Sequence, residues 1–305
     1  MTGRNLFGLI IAVLISGCSG NIQFKEHNKL VSADWLQSHL NDTSLALIYV
    51  GSRLTFDSIH IPNSQYISVR DLLTRNDSLR NELPEINKID SLLESAGIND
   101  HSLIVLCYEN EDMIPFTARF FLTLDYAGLG NKTYVLNGGL TEWVKEDRLT
   151  TDSLYVKLPG KIGLAENNKI IVSAFEIEKY MNNPDFVIID ARSVDTYTGY
   201  FDTIENKFKG GHIEGAVNLP VDWLLDDTLG YLFKKDSELS GEFERAGMNK
   251  DKTAVIYCST GIEATVTYLV STHLGYKTLF YDGSFEDWVK LHLPVIKPVS
   301  HKSEN

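Results

Sequence analysis

Cys258 stands between an apolar run and an amphipathic one, a place where a thiol can be made reactive. Thr253 to Tyr257 reads as a strand and Ser259-Thr260-Gly261 as a tight turn. Ile262 to Leu274, with apolar residues at 262, 266, 269, 270 and 274 on one face, reads as a helix. A cysteine at a strand end facing a helix N-terminus meets unpaired amides and the positive end of the helix dipole. Its pKa is therefore expected to fall and its thiolate to act as a nucleophile. Gly261 lets the turn close so that successive amides point inward. The hydroxyls of Ser259 and Thr260 add donors for a second sulfur or a developing charge. The alternative, a buried small hydrophobe, is the commoner fate of a lone cysteine. Position and loop composition favour the nucleophile.

The elements that must hold this loop recur along the chain. Val31-Ser32-Ala33 matches Val172-Ser173-Ala174, and apolar strands follow at Leu45 to Val50 and Phe186 to Asp190. His60-Ile61-Pro62-Asn63-Ser64 then matches His212-Ile213-Glu214-Gly215-Ala216. Second strands follow at Leu103 to Leu106 and Thr253 to Tyr257. Each half closes on a turn, Asn137-Gly138-Gly139 or Asp282-Gly283-Ser284, leading to Trp143 or Trp288, which are expected to be core residues. This is a domain duplication, with a linker around Leu149 to Asn168 interrupted by Pro159, Gly160 and Gly163. Short apolar strands separated by amphipathic segments predict an α/β fold, with parallel sheets covered by helices on both faces. In such folds ligands sit beyond the carboxyl ends of the strands.

The segment Cys258-Ser259-Thr260-Gly261-Ile262-Glu263-Ala264 resembles the active-site loop of the rhodanese family of sulfurtransferases. Asp190-Ala191-Arg192-Ser193, Gly211-His212-Ile213-Glu214-Gly215-Ala216 and Asp282-Gly283-Ser284 before Trp288 support the resemblance. It runs from about Leu30 to Val295 and is similar in kind to the tandem thiosulfate and 3-mercaptopyruvate sulfurtransferases. It implies two rhodanese-like domains, with Cys258 taking sulfane sulfur from thiosulfate, 3-mercaptopyruvate or a persulfide. The sulfur would pass through a Cys258 persulfide to a thiol, a thioredoxin-like protein included, or to cyanide, with no metal or organic cofactor. Ser259, Thr260 and Gly261 would cradle the outer sulfur, and Arg192, His60, Ile262 and Glu263 are candidate substrate contacts. The resemblance also implies a relay in which Thr260 works with His60, and Asp57 as a third member; the alternative for His60 is a structural turn histidine. In the family the equivalent of Arg192 more often belongs to the scaffold.

The departures from the family pattern are informative. Ser259 and Thr260 stand where thiosulfate-type members carry basic residues, which points toward the mercaptopyruvate type. Yet Thr196 and Glu205 occupy positions where that type places carboxylate-gripping arginines, and Glu263 adds negative charge beside the thiol. A simple anionic donor fits poorly, and a protein-bound or low-molecular-weight persulfide fits better. The first half lacks the loop: Cys107 follows its strand, but Glu109-Asn110-Glu111-Asp112 come next, and carboxylates raise a thiol pKa. Alignment backward from Thr117-Ala118-Arg119 places Glu111 or Asp112 near the nucleophile position. Tyr49 stands where the second half has Asp190. The first half is therefore expected to be an inactive scaffold and lid, with Cys107 a core thiol. Two other functions compete. One is a non-catalytic binding or sulfur-carrier module on the same fold. The other, weaker, is a cysteine-dependent phosphatase, which needs an arginine where Ala264 stands.

Composition frames these readings. The 305 residues are 43% hydrophobic and 23% charged, ordinary for two globular domains. A net charge of −13 without a basic run excludes nucleic acid as a natural partner. Three cysteines are too few and too scattered for a disulfide framework or a cysteine-based zinc site. Arg4 followed by the apolar run Leu6 to Ile15 reads as a signal peptide too short to span a bilayer. Leu14-Ile15-Ser16-Gly17-Cys18 resembles a bacterial lipobox, which would lipidate Cys18; the alternative is a plain secretory signal cut near Gly20. The expected layout is a signal peptide (1–17), lipidated tether (18–29), inactive domain (30–149), linker (150–168), catalytic domain (169–297) and polar tail (298–305). The expected location is the bacterial cell envelope, facing the periplasm, with the lipid anchor as the one membrane contact.

Overall fold

The computed structural model describes residues 28–75, 79–200, 210–230 and 232–297. Cys18 with the leader, Glu205 and the polar tail lie outside the described residues. Among the described residues no helix is long and apolar enough to cross a membrane.

The first half builds a five-stranded parallel sheet from β1 (Leu30–Val31), β2 (Leu45–Val50), β3 (Gln65–Tyr66), β4 (Leu103–Tyr108) and β5 (Thr133–Leu136), in the order β1-β5-β4-β2-β3. Its helices are α1 (Ala33–His39), α2 (Arg53–Ser58), α3 (Ile86–Ser95), α4 (Ile114–Tyr126) and α5 (Gly139–Lys145). β2 is buried at every residue because helices cover both faces of the sheet, so it reads as a continuous apolar run rather than an alternating one.

The second half repeats the plan with β6 (Phe186–Asp190), β7 (Val217–Asn218), β10 (Thr253–Tyr257) and β11 (Lys277–Phe280), all parallel in the order β11-β10-β6-β7. A small antiparallel pair, β8 (Leu225–Asp226) and β9 (Leu232–Phe233), sits between. The helices are α6 (Ala174–Tyr180), α7 (Val194–Thr198), α8 (Asp236–Arg245), α9 (Ala264–His273) and α10 (Ser284–Lys290). Ser32 and Ser173 start the equivalent helices α1 and α6 as N-caps, which is why that serine recurs in the repeat.

Each sheet has an outer core, with Trp143 or Trp288 fully buried in it as expected. Each indole nitrogen donates to a carbonyl six residues on, Leu149 or Pro294. The inner faces of both sheets share one core, where the equivalent helices α4 and α9 meet. There the Tyr268 hydroxyl donates to Asp125 at 2.6 Å and Thr265 Oγ1 donates to the Pro115 carbonyl at 3.1 Å.

Candidate active site

β10 is a central strand, flanked by β6 and β11, and it carries Cys258 to the carboxyl edge of the sheet. The Cys258 carbonyl accepts from the Phe285 amide at 3.0 Å, and the Cys258 amide donates to Ser284 Oγ at 3.3 Å. Ser284 takes a left-handed φ of 52°, strained for a residue with a side chain. Gly261 turns at φ +78°, and a Cβ there would lie 2.6 Å from the Asp282 carbonyl oxygen, so the position requires glycine on both counts. Helix α9 begins at Ala264, two residues later than the apolar pattern suggests, because Ile262 and Glu263 complete the turn.

The amides of Ala264, Thr260 and Gly261 pull the Cys258 thiol pKa down, as the loop sequence suggests. Burial outweighs them, and Glu263 adds to it, so the thiol sits above its ordinary value rather than below it. The expected depression fails because Cys258 is 1% exposed and has a carboxylate for a neighbour.

Beside the loop opens a cleft of about 470 Å³, lined by Glu111 and Asp112 of the first domain and by Arg192, Asp222, Ser259 and Glu263 of the second. Four of these six side chains are carboxylates. The one guanidinium is already committed. Arg192 Nε donates to Asp190 Oδ1 at 2.9 Å and Nη2 to Asp190 Oδ2 at 2.5 Å and to the Gly211 carbonyl at 2.7 Å. It also lies 4.0 Å over the Phe285 ring, which makes it the scaffold arginine of the Asp190-Ala191-Arg192 segment. Its Nη1 is buried with no hydrogen-bond partner among the described residues. Thr196 lines the same cleft, its hydroxyl 2.9 Å from that of Ser193. Burial and Asp222 together raise the Glu263 pKa.

His60 is not brought to the loop. It is fully buried in the first domain, stacked on Phe56 at 4.2 Å with Nδ1 on the Phe56 carbonyl at 2.6 Å, and its backbone bridges to Thr151. His212 does the same in the second domain, stacked on Tyr197 at 3.9 Å, bonded to the Tyr197 carbonyl and bridged to Ile296. Two copies with one set of bonds mark a structural histidine that ties each short helix to the end of its domain. Asp57 pairs with Arg53 on the surface. The relay of Thr260, His60 and Asp57 therefore does not assemble. Ile262 is half-buried, with its carbonyl accepting from Thr265.

The strand registers also correct the alignment of the halves. Tyr49 pairs with Cys107 and Asp190 with Tyr257, so Cys107 matches Tyr257, and Tyr108 matches Cys258. Neither Glu111 nor Asp112 holds the nucleophile position. Side chains alternate between faces, so Cys107 points into the outer core whereas Cys258 faces the inner one. Cys107 is the core thiol expected, its pKa driven far up by burial.

Several residues at the site carry no local sequence signal of their role. Arg119 of α4, fully buried, donates through Nη1 to the Gly261 carbonyl at 3.1 Å and to Asp282. Asn81 Nδ2 donates to Thr260 at its carbonyl (3.2 Å) and its hydroxyl (3.3 Å). The Leu83 amide donates to Asp282 Oδ2 at 3.0 Å. Burial and Asp282 push the Glu82 carboxyl up to about 7, against the pull of Arg119.

The model of the rhodanese-like domain matches residues 32–146 and 173–291, and the chain belongs to the rhodanese family. It is 29% identical to a thiosulfate sulfurtransferase of Azotobacter vinelandii over 254 residues, covering 83% of this chain and 91% of that one. It is 28% identical to the sulfur carrier protein TtuD of Thermus thermophilus, covering 88% and 96%. It is 26% identical to the 3-mercaptopyruvate sulfurtransferase of Escherichia coli, covering 87% and 96%. Among solved structures, SseA from Escherichia coli shares the fold with a TM-score of 0.72 at 24% identity, over 84% of this chain and 98% of that one. An anaerobic ergothioneine biosynthesis enzyme from Chlorobium limicola does so at 0.75 and 18%, over 90% and 71%.

Proposed function

We propose that the protein is a sulfurtransferase that carries sulfane sulfur on Cys258. The single observation behind this is the placement of Cys258. It lies at the end of the central strand, with three loop amides on its sulfur, beside a cleft large enough for a small donor. The Cys258 thiolate attacks the outer sulfur of the donor. The donor's bond to that sulfur breaks, its electron pair leaves with the donor fragment, and a new S–S bond forms at Cys258. An acceptor thiolate then attacks the outer sulfur and releases the Cys258 thiolate. Neither half-reaction needs an external oxidant or reductant.

The donor is suggested by the charge of the cleft. Four carboxylates with no uncommitted cation among the lining residues repel thiosulfate and offer no grip for the carboxylate of mercaptopyruvate. A persulfide on a neutral or cationic carrier, with one negative charge at most on its sulfur, suits the site better, and a thioredoxin-like thiol is a suitable acceptor. Incubation with each donor class followed by mass spectrometry of the Cys258 peptide tests this. One added sulfur atom is expected with a persulfide donor and none in Cys258→Ser, whereas Cys107→Ser keeps the gain. Absence of the adduct with every donor would overturn the reading and favour a binding module. The phosphatase reading has no support in the loop, since Ala264 stands where an arginine is needed.

We also propose that Cys18 is lipidated and holds the protein on a bacterial envelope membrane, facing the periplasm; the lipobox-like sequence before it supports this. Metabolic labelling with a fatty acid should mark the full-length chain and leave Cys18→Ser unmarked. Label on both, or on neither, sinks the idea.

A further inference from the structure

We infer that Asn81 and Arg119, both in the silent first domain, are positioning residues that aim the loop amides of the second domain at the Cys258 sulfur. The inference rests on reading Cys258 as the reactive thiol.

A trans peptide unit is planar, with its carbonyl oxygen and the next residue's N–H pointing in opposite directions. Whatever grips a loop carbonyl on the outside therefore turns the following amide inward. Three consecutive carbonyls of this loop are gripped. The Ser259 oxygen accepts from the Glu286 amide at 3.0 Å, which turns the Thr260 amide. The Thr260 oxygen accepts from Asn81, which turns the Gly261 amide. The Gly261 oxygen accepts from Arg119, which turns the Ile262 amide. The Thr260 and Gly261 amides are two of the three that pull the Cys258 thiol down, so the grips on the Ser259 and Thr260 carbonyls and these inner donors are two ends of the same peptide planes; Arg119 fixes the next plane, on the way to the third amide, that of Ala264.

Two of the three grips cross from the first domain, and the third is braced from there. Arg80 pairs with Glu286 at 3.4 Å, and Asp282, at the head of the turn that carries Ser284 and Glu286, is held by Arg119 and by the Leu83 amide. Arg119 is a poor choice for stability alone. It is fully buried, and its Nε and Nη2 have no hydrogen-bond partner among the described residues. A buried guanidinium with unpaired nitrogens costs free energy that an apolar side chain of similar length does not. What Arg119 provides is the pair of bonds from Nη1, and both end on the Cys258 loop or the turn beside it.

The experiment uses the full chain and reads the thiol directly. The rate at which iodoacetamide modifies the Cys258 peptide is followed by mass spectrometry from neutral to alkaline pH, and the midpoint of that profile is compared between variants. Asn81→Ala and Arg119→Met should each move the midpoint upward, slowing modification at neutral pH by about three- to tenfold. Arg119→Lys, which keeps a donor, should recover part of the shift. Tyr268→Phe removes a different bond between the domains, the one to Asp125, and should leave the midpoint in place. A merely structural role for Asn81 and Arg119 predicts lower melting temperatures with an unmoved midpoint. The inference is overturned if Asn81→Ala and Arg119→Met keep the wild-type midpoint, or if Tyr268→Phe moves it as far. Should Arg119→Met fail to fold, the half-buried Asn81 decides the matter alone. Because alkylation requires no sulfur donor, this result is independent of whether the persulfide forms.

Discussion

At the carboxyl end of β4 the chain places Tyr108, and at the same register of β10 it places Cys258. The turn that closes over each carries the matching difference. Gly139 faces Tyr108 and Ser284 faces Cys258, both with left-handed backbones at φ 54° and 52°. A Cβ at Gly139 would lie 2.3 Å from the Tyr108 carbonyl oxygen and 2.4 Å from its ring, so the position requires glycine. The small cysteine leaves room for Ser284, whose hydroxyl accepts from the Cys258 amide. The segments after the two strands differ in the same sense. Glu109 folds its carboxylate back onto the Ser52 amide (2.6 Å) and Thr55 hydroxyl (2.8 Å), closing the first domain on itself. Ser259-Thr260-Gly261 instead turn their amides toward the sulfur. The two domains thus differ at their carboxyl edges by paired exchanges on one scaffold, with the strand order β5-β4-β2-β3 repeated as β11-β10-β6-β7 and a buried tryptophan kept in each. The first domain nevertheless reaches the Cys258 loop of the second, through Asn81 and Arg119.

The comparison breaks most easily at Gly261. Gly261→Ala adds strain of about 1–3 kcal/mol and a collision with the Asp282 carbonyl, and it should cut sulfur transfer about a hundredfold as the amides lose aim. Gly247→Ala, at φ +85° with open space around it, is the control: a stability loss of about 1 kcal/mol and unchanged turnover. Equal rates for the two variants would show that the loop geometry does not matter.

Next comes Glu263, the charge that holds the thiol up. Glu263→Gln should lower the Cys258 midpoint in the alkylation profile, speed modification at neutral pH about three- to tenfold, and improve use of thiosulfate relative to a persulfide on a neutral carrier. A midpoint that stays or rises would leave burial as the sole cause.

The smallest effect belongs to Glu82, between the domains. Folded, it keeps its proton to about pH 7, whereas an ordinary glutamate releases it near 4.5. Between those values the folded state holds the extra proton, so stability falls as pH rises through the window and stays reduced above it. Glu82→Gln should therefore raise the melting temperature by about 2–4 °C above pH 7 and change nothing below pH 4. A gain that is equal at both ends would contradict the assignment.

The duplication, the parallel sheets, the tight turn after Cys258 and the two core tryptophans were legible because each is local: an apolar strand, a glycine turn, a serine cap. Arg192 was a candidate substrate contact in the sequence, with the scaffold role implied by the family resemblance alone; its bonds to Asp190, two residues away, and to the Gly211 carbonyl place it in the scaffold. His60 was harder, because the histidine motif alone does not distinguish a ring stacked on Phe56 from one facing a cleft. The match of Tyr108 to Cys258 needed strand register, where one residue of slip exchanges the faces. The bonds of Asn81 and Arg119 join residues 179 and 142 positions apart, and nothing periodic in the chain announces them.

The interior limits how such a chain can change over time. The inner faces of both sheets are a single core, closed where Phe121 of α4 packs near Tyr268 of α9. Neither half has a finished surface on that side. Heating should therefore melt the two halves in one transition, and cutting the chain in the linker should not release a working second half. The first copy is then not expected to be shed by gene trimming, since its loss would leave α9 and the Cys258 loop facing water.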